Sequence, residues 1–486
     1  MNLTNEILPD LYEASIDELQ RGLEKGDFSS VDLVKAYIRR IDEVNIKGPG
    51  LRAILEINPK ALEQAAALDA ERKSNGSRGP LHGIPLLIKD NIATMHEEGM
   101  DTTAGSHALI GSIVPRDATV AAKLRAAGAI LLAKASLSEW ANFRGQVPSG
   151  FCGRGGQGTN PYYPNANPSG SSSGSGIGTA IGLAAGNQDS VGPMCRCVSD
   201  AAVILSSIVG PDPLDEITLS QPSETLDYSK ALDTNGLRGV RIGVPRLFQS
   251  ENENITKAFN EALEVMRELG ATIIDPADFP NAVELRAYIP TGRLVVMEAD
   301  FKVDLNKYLA GLVDIPSGTR TLADLIEFNK THADLELIPP YHDDQSRFIK
   351  VEGTTQDENY YATLAKNHQM TRAEGIDATL NLFNLDCLVL PTSGFTSTPP
   401  AVAGYPLITV PLGFQPDDIQ PSPGKPTHDI APGMPFGISF IGTAFSEFKL
   451  ISYAYAYEQK TQVRLKRLAY PEAIPKTQLK DVIGKD

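Results

Sequence analysis

The sequence predicts an α/β fold in which helices cover both faces of a mixed, mostly parallel sheet. Two observations support this class. Short apolar runs of strand type alternate with helical patterns, as at residues 84–88, 118–127 and 129–132. The same alternation of strand and helix recurs in the second half of the chain. Buried apolar strands separated by helices are typical of parallel sheets that are covered on both faces.

The elements can be justified in chain order. Ser15 and Glu18 form a capping box that begins a first helix, and Gly26 supplies the left-handed residue that ends it. Amphipathic patterns at 31–41 and 61–71 predict two further helices. The later strands and helices are predicted at 241–244, 255–269, 271–275, 387–390, 407–410 and 436–441, with a last helix that begins at Ser446.

We predict a single domain over residues 1–486, with an N-terminal helical region, 1–75, packed on it. The best candidate for a boundary is the polar, irregular stretch at 211–235. A connection inside one α/β domain explains that stretch equally well.

Composition and charge exclude several classes of protein. Hydrophobic residues make up 42% of the 486-residue chain and charged residues 21%, which is typical of a soluble globular protein. The formal net charge of −16 disfavours nucleic acid as a partner. No segment approaches the roughly 20 apolar residues of a membrane span, and the N-terminus has no signal-peptide pattern. Four cysteines are too few to staple the chain, so we predict a reduced, cytoplasmic location. Cys195 and Cys197 have no second pair, and we predict neither a metal nor a cofactor.

The run 83–91 delivers Lys89 at the end of an apolar strand. α/β proteins build their sites at the C-terminal ends of parallel strands. Burial lowers the pKa of a lysine, which lets it act as a base near neutral pH. The simpler alternative is a solvated lysine paired with Asp90.

A Gly/Ser-rich loop at 168–176 is followed at once by a run of small, helix-forming residues at 177–186. Successive glycines let backbone N–H groups converge on an anion, and serines supply hydroxyls for proton relay or attack. A flexible linker is the alternative. Gly170-x-Ser172-x-Gly174 matches the nucleophile elbow of α/β-hydrolases, but no strand precedes it, as the elbow requires.

In combination these motifs resemble the amidase signature family, closest to its stand-alone fungal and bacterial members. The resemblance covers nearly the whole chain in order, and its further motifs lie at 102–106, 135–140, 189–194, 241–245, 403–413 and 434–438.

The resemblance implies an amidase-signature α/β/α fold and a Ser–cis-Ser–Lys triad that cleaves carboxylic amides without a cofactor. Lys89 matches the lysine, and Ser171 matches the middle serine, which follows a cis peptide bond and relays the proton. Gly170 and Ser172 are expected to contact the substrate, a small-molecule amide. The acidic net charge and the lack of a long apolar stretch predict no nucleic acid or membrane partner, and a homodimer is left open.

The resemblance breaks at the third member of the triad. The family carries the attacking serine and its oxyanion-binding backbone in a Gly-Thr-x-x-(Asp/Gly)-Gly-Ser segment, and this chain has none. The junction between Gly186 and Asn187 therefore predicts a deletion of a few dozen residues and an impaired catalyst.

Four residues near the junction are candidate substitutes for the attacking serine, and none fits well. Cys195 lies at the right distance by counting but not by motif, and Ser190 matches a position without a catalytic role. Ser172 and Ser173 lie near the relay but have no identifiable oxyanion-binding segment.

Three hypotheses follow. The leading one is an amidase-type hydrolase, impaired in this chain. The second is a catalytically inactive, amidase-like protein that arises as a splice or gene-model variant or serves as a ligand-binding pseudoenzyme. The third is the amidotransferase subunit that acts on charged tRNA, which the acidic charge disfavours. In each case we expect residues 282–380 to shape an acyl pocket, and that region includes Tyr288, His332, Tyr341 and His342.

Overall fold

The computed structural model describes residues 8–188, 192–392 and 395–485, with 187 and 188 described by their backbone alone. The helices are Ile16–Lys25 (α1), Ser30–Val44 (α2), Ala61–Asn75 (α3), Thr119–Ala126 (α4), Ser173–Ala180 (α5), Val198–Ile208 (α6), Glu253–Glu268 (α7), Ala282–Gly311 (α8), Leu322–Thr331 (α9), Ala333–Glu336 (α10), Ser346–Glu352 (α11), Glu358–Thr371 (α12), Asp377–Leu382 (α13), Thr398–Ala403 (α14) and Glu447–Thr461 (α15). The strands are Ile54–Ile57 (β1), Pro85–Lys89 (β2), Ile130–Ala135 (β3), Phe151–Cys152 (β4), Gly156–Gln157 (β5), Gly186–Gln188 (β6), Pro193–Met194 (β7), Arg241–Gly243 (β8), Thr272–Ile274 (β9), Cys387–Pro391 (β10), Leu407–Phe414 (β11) and Pro435–Ile441 (β12).

The N-terminal helices form where the local sequence predicts them. The Ser15 side chain accepts from the Glu18 N–H, and the Glu18 side chain accepts from the Ser15 N–H, so the capping box is complete. Gly26 has a φ of 78° and ends α1 in the left-handed conformation that glycine adopts without steric cost. Ser446 is the residue that precedes α15. These predictions are confirmed.

The strands form two five-stranded mixed sheets and one small hairpin of β4 and β5. The first sheet has the order β1-β3-β2-β6-β7, and the second has the order β11-β12-β10-β8-β9. β2 pairs in parallel with both β3 and β6, which places it at the centre of the first sheet. The α/β class is confirmed, because helices accompany mixed sheets that contain parallel strands.

The expected predominance of parallel pairing is wrong for the described residues. In the two large sheets four pairings are parallel and four are antiparallel. The physical reason lies in the connections. β11 and β12 are joined by an irregular segment rather than by a crossover helix, and β6 and β7 by a short connection, so both pairs run antiparallel.

Two main apolar cores meet at α6. The first core surrounds β2 and β3, every residue of which is buried, and includes Ile204 of α6. The second surrounds the other sheet and includes Val198 and Ala202 of the same helix. The stretch 211–235 follows α6 and places Tyr228 in the second core. None of the helices in the described ranges combines the length and apolar character that a bilayer crossing requires.

Arg40 ties the N-terminal helices to two distant segments. Its guanidinium is fully buried and donates to the carbonyl oxygens of Ile181 and Gly182 at 2.9 and 2.7 Å. It also donates to the carbonyls of Pro475 and Thr477 at 3.2 and 2.7 Å. A buried carbonyl left without a donor is costly, so this one side chain holds the end of α5 and the C-terminal tail against α2.

We therefore predict that Arg40→Gln lowers the free energy of unfolding by about 3 kcal/mol, because one shorter amide leaves buried carbonyls unpaired. Urea unfolding followed by circular dichroism measures the change. The neighbouring Arg39→Gln is the matched control, because Arg39 is exposed and donates only to the Asp481 carbonyl at 3.1 Å. Equal effects of the two substitutions would contradict the role assigned to Arg40.

Candidate active site

Lys89 is the last residue of the central strand β2, and its side chain is only 2% exposed. β2 is apolar from Pro85 to Ile88, so the strand carries the lysine into the interior and stops there. Its amine lies among hydrogen-bonding groups rather than in bulk water. The alternative of a solvated lysine paired with Asp90 is wrong, because both residues are buried.

The Gly/Ser loop meets this lysine. Lys89 Nζ donates to Ser171 Oγ at 3.1 Å and to Ser172 Oγ at 2.8 Å. The peptide bond between Gly170 and Ser171 is cis. The structure thus brings together Lys89, Ser171 and Ser172, three of the four site residues that the sequence predicts, and places Gly170 beside them.

Close packing holds the loop in this position. The Ser138 N–H donates to the Ser171 carbonyl at 2.8 Å, and the Gly174 N–H donates to the Ser136 carbonyl at 2.9 Å. A Cβ on Gly170 would lie 2.5 Å from Ser138 Oγ, and one on Gly174 would lie 2.4 Å from the Ser136 nitrogen. Only glycine fits at either position, so the glycines let the loop and α5 approach the segment that follows β3.

A buried ionic network fixes the chain just beyond Lys89. Asp90 Oδ2 accepts from Thr103 Oγ1 at 2.5 Å and from the Gly105 N–H at 2.9 Å. Arg154 lies 3.9 Å from Asp90 Oδ1 and 2.7 Å from a Glu56 oxygen. Burial raises the pKa of Asp90, against the opposing effect of the nearby cations.

Lys134 belongs to the same network, although none of the sequence motifs pointed to it. It lies beside β2, with Lys134 opposite Ile88 in the parallel register. Its Nζ donates to the Ile92 carbonyl at 2.7 Å and to Thr102 Oγ1 at 2.9 Å. Burial lowers the pKa of Lys134 to about 8, although nearby Asp90 raises it. A single lysine inside an otherwise apolar strand was the signal that could have found it.

A second buried cluster lies next to Ser138. Arg144 Nη1 is 2.7 Å from Glu139 Oε1 and 3.9 Å from Glu336 Oε2. Ser106 Oγ donates to Glu336 Oε1 at 2.9 Å. Burial, together with the Glu336 carboxylate, raises the pKa of Glu139 above its usual range. This cluster joins α10 to the segment that carries Ser138.

The residues expected to shape an acyl pocket are dispersed. His332 stacks on Phe328 at 4.1 Å between ring centroids, and Tyr288 lies under Lys366 Nζ at 4.0 Å. His342 stacks on Phe151 at 3.8 Å, and Tyr341 packs edge-on against His342.

An apolar cavity of about 190 Å³ lies elsewhere, near the end of β2. Its lining residues include Asn91, Ala104, Leu109, Trp140, Phe301 and Tyr308. None of the four named residues lines this cavity, whereas Phe301 and Tyr308 of the expected range 282–380 do. The expected contribution of the four residues to an acyl pocket stays a prediction.

The four candidate substitutes for the attacking serine have different surroundings. Ser173 is buried at 2% exposure. Cys195 packs against the first apolar core. Ser190 lies outside the described residues. Ser172 is the candidate whose hydroxyl accepts a hydrogen bond from Lys89.

The chain matches a known protein family. The sequence model of the Amidase family matches residues 32–188 and 184–400. The chain belongs to the amidase family. Its members are amide-hydrolysing enzymes, and the resemblance proposed from the motifs is confirmed. The two matched segments meet at the junction where the sequence predicts a deletion.

Individual amidases agree. A protein of Arthroderma benhamiae named "Putative amidase" is 37% identical over 535 residues, which cover 96% of this chain and 88% of that protein. The structure of a peptide amidase from Stenotrophomonas maltophilia superposes with a TM-score of 0.83 at 35% identity, covering 96% of this chain and 99% of that one. A plant protein of Arabidopsis thaliana, named as a probable amidase, is 37% identical and covers 93% of this chain and 91% of its own length.

We predict that Lys134 makes stability depend on pH. Its folded-state pKa of about 8 lies below the unfolded value near 10.5, so the unfolded chain binds more protons between these pH values. The Lys134 contribution to the free energy of unfolding must then rise as pH increases from 8 to 10.5. Across this window the free energy of unfolding of the wild type should rise relative to that of Lys134→Met, by at most about 3 kcal/mol.

Urea titrations of both proteins at several pH values between 7.5 and 10.5 measure this difference. Comparing the two proteins removes the contribution of tyrosines and cysteines that titrate in the same range. A difference that stays constant with pH would contradict burial of a titrating Lys134.

Proposed function

We propose that the protein hydrolyses carboxylic amides by a Ser–cis-Ser–Lys mechanism in which Lys89 is the base and Ser171 is the relay. The observation that carries this proposal is the 3.1 Å contact between Lys89 Nζ and Ser171 Oγ at a buried strand end. An amine in this position can exchange a proton with a hydroxyl without competing bulk water.

Each of these residues has a defined part in the chemistry. Neutral Lys89 takes the proton of Ser171, which takes the proton of an attacking serine as that serine adds to the amide carbonyl. The proton returns through Ser171 to the departing amine, and an acyl-enzyme remains. Water then enters by the same proton path in reverse and releases the acid.

We interpret the junction between Gly186 and Asn187 as the place where the segment that carries the attacking serine is missing. Two comparisons support a missing segment. The Amidase family matches in two segments that meet at 184–188, and the alignment with the Arthroderma benhamiae protein spans 535 positions against 486 residues here. We propose that this chain is impaired in amide hydrolysis and that a longer form carries the full triad.

The substrate is a small-molecule amide in this proposal. The Stenotrophomonas maltophilia relative is a peptide amidase, and a related structure holds the competitive inhibitor chymostatin. A net charge of −16 disfavours nucleic acid as a partner. The structure describes Cys152, Cys195, Cys197 and Cys387 without a disulfide, which is compatible with the proposed reduced, cytoplasmic location. A homodimer and a single domain over 1–486 remain predictions.

The triad is tested by covalent labelling with a serine-directed fluorophosphonate. A form of the chain with the segment restored between Gly186 and Asn187 should label. Its Lys89→Ala and Ser171→Ala variants should label at least about 10²-fold more slowly, the usual loss when a proton-transfer group is removed. Labelling is quantified by gel fluorescence against time.

Lys47→Ala is the control for these variants, because the Lys47 side chain is 70% exposed and lies far from β2 in sequence. A restored form that is folded but does not label, or that labels equally well without Lys89, would rule out the proposed mechanism.

The origin of the junction is tested separately by sequencing the transcript across the codons for Gly186 and Asn187. A gene-model error predicts additional in-frame codons in every transcript. A splice form predicts two transcript lengths. A single transcript that matches the 486-residue chain would instead favour a genuine loss of the segment.

A further inference from the structure

Ser172 contacts Lys89, but the proposed mechanism gives Ser172 no role. Its Oγ lies 2.8 Å from Lys89 Nζ, closer than the 3.1 Å of Ser171 Oγ. It is the central serine of Gly170-x-Ser172-x-Gly174, the sequence pattern of a nucleophile elbow. The pattern lacks the preceding strand of that elbow, but it retains the helix that follows.

The position of Ser172 relative to α5 suits a nucleophile. Ser172 is the residue that precedes this eight-residue helix, and its side chain makes no capping bond to the helix. The first-turn N–H groups of a helix carry partial positive charge. The Gly174 N–H donates to the Ser136 carbonyl, so the first-turn group next to an oxyanion on Ser172 would be the Ser173 N–H, as in an elbow whose next N–H contributes to the oxyanion hole.

Access separates Ser171 and Ser172 from the serines further into α5. Ser171 and Ser172 are half-buried, and Ser169 and Gly170 are exposed. Ser173 and Ser175 are buried, with relative exposures of 2% and 0%. A substrate that approaches the loop can therefore reach Ser172, whereas the hydroxyls further into α5 are closed to it.

We propose that, in the 486-residue chain, Ser172 and Lys89 form a serine–lysine pair that hydrolyses activated carboxylic esters. The proposal rests on the basic role of Lys89 in the proposed function. It adds a nucleophile that the family triad does not use. Serine–lysine pairs recur as variants of the serine triad on unrelated folds.

The reaction balances with groups present in the structure. Ser172 Oγ forms a bond to the ester carbonyl carbon while neutral Lys89 takes its proton. The bond from that carbon to the leaving alkoxide oxygen breaks, and the Lys89 ammonium returns the proton to the leaving alcohol. Water then adds to the Ser172 ester, again with Lys89 as base, and releases the carboxylic acid and Ser172.

Activated esters are the substrate class because their leaving groups need little assistance. Loss of a single oxyanion donor costs about 10²–10³-fold in rate. Without the family segment that supplies such donors, a stable amide would be turned over far more slowly than an ester with a good leaving group.

The test uses the 486-residue chain, verified as folded by circular dichroism, with a fluorophosphonate as the probe. The phosphorus–fluorine bond breaks as Ser172 Oγ bonds to phosphorus, so the modified peptide identifies the nucleophile by mass spectrometry. We expect the label on Ser172 and a loss of at least about 10²-fold in labelling rate for Ser172→Ala and Lys89→Ala. The wild type should hydrolyse p-nitrophenyl acetate faster than Lys89→Ala does, and Ser172→Ala should lose this excess rate as well.

Ser169→Ala is the matched control, because Ser169 is in the same loop and exposed, and it should label like the wild type. A label on Ser171 or on any other residue, no label on the folded chain, or a 486-residue chain that does not fold would each overturn the proposal. If the restored form labels on its own added serine and needs Lys89, the proposed function stands whichever of these results is found.

Discussion

Burial of the Lys89 amine is the constraint on which the site depends. A polar group in an apolar interior is costly unless it is hydrogen-bonded, so a lysine 2% exposed at a strand end requires polar partners around it. The serine hydroxyls of the loop supply the partners. Asp90, one residue further on, is buried as well, and burial raises the pKa of its carboxyl against the opposing effect of the nearby cations Lys134 and Arg154. The contacts of Asp90 and Lys134 with the segment 92–105 keep the chain beyond β2 in one position.

The loop can reach the lysine only because backbone approaches backbone there. The Ser138 and Ser136 segment follows β3, which is the direct neighbour of β2, and its N–H and carbonyl groups bond the loop at 2.8 and 2.9 Å. Glycine at 170 and 174 removes the Cβ atoms that would prevent these contacts. The Arg144 cluster then holds the Ser138 segment from the other side. The loop is positioned by the residues that follow β3, and Asn167 at its start is tied to His428 in the segment between β11 and β12.

What the sequence could predict follows from the range of each interaction. The capping box of Ser15 and Glu18 and the strand that ends at Lys89 depend on residues close in sequence, so their patterns are visible. The pairing of the Glu139 cluster is different, because Arg144 and Glu336 are brought together from opposite halves of the chain. The antiparallel pairing of β11 and β12 also escaped, because it depends on an irregular connection rather than on strand composition. From the sequence, the wall of a pocket could be placed only within the broad range 282–380, which contains Phe301, because the residues of a cavity wall follow no periodic pattern.

The contacts around Lys89 explain how the chain could lack the proposed missing segment and still hold Lys89 in place. The partners named above for Lys89, Asp90 and the Gly/Ser loop lie between Glu56 and Glu336, and most precede the junction at Gly186. β6 pairs in parallel with β2, and backbone pairing of this kind is open to many sequences. Lys89 and Ser171 are therefore held by contacts that do not require the proposed missing segment. Chemistry at this site depends on which hydroxyl is presented to Lys89, whereas the stability of the site depends on the first sheet, and the two can change independently.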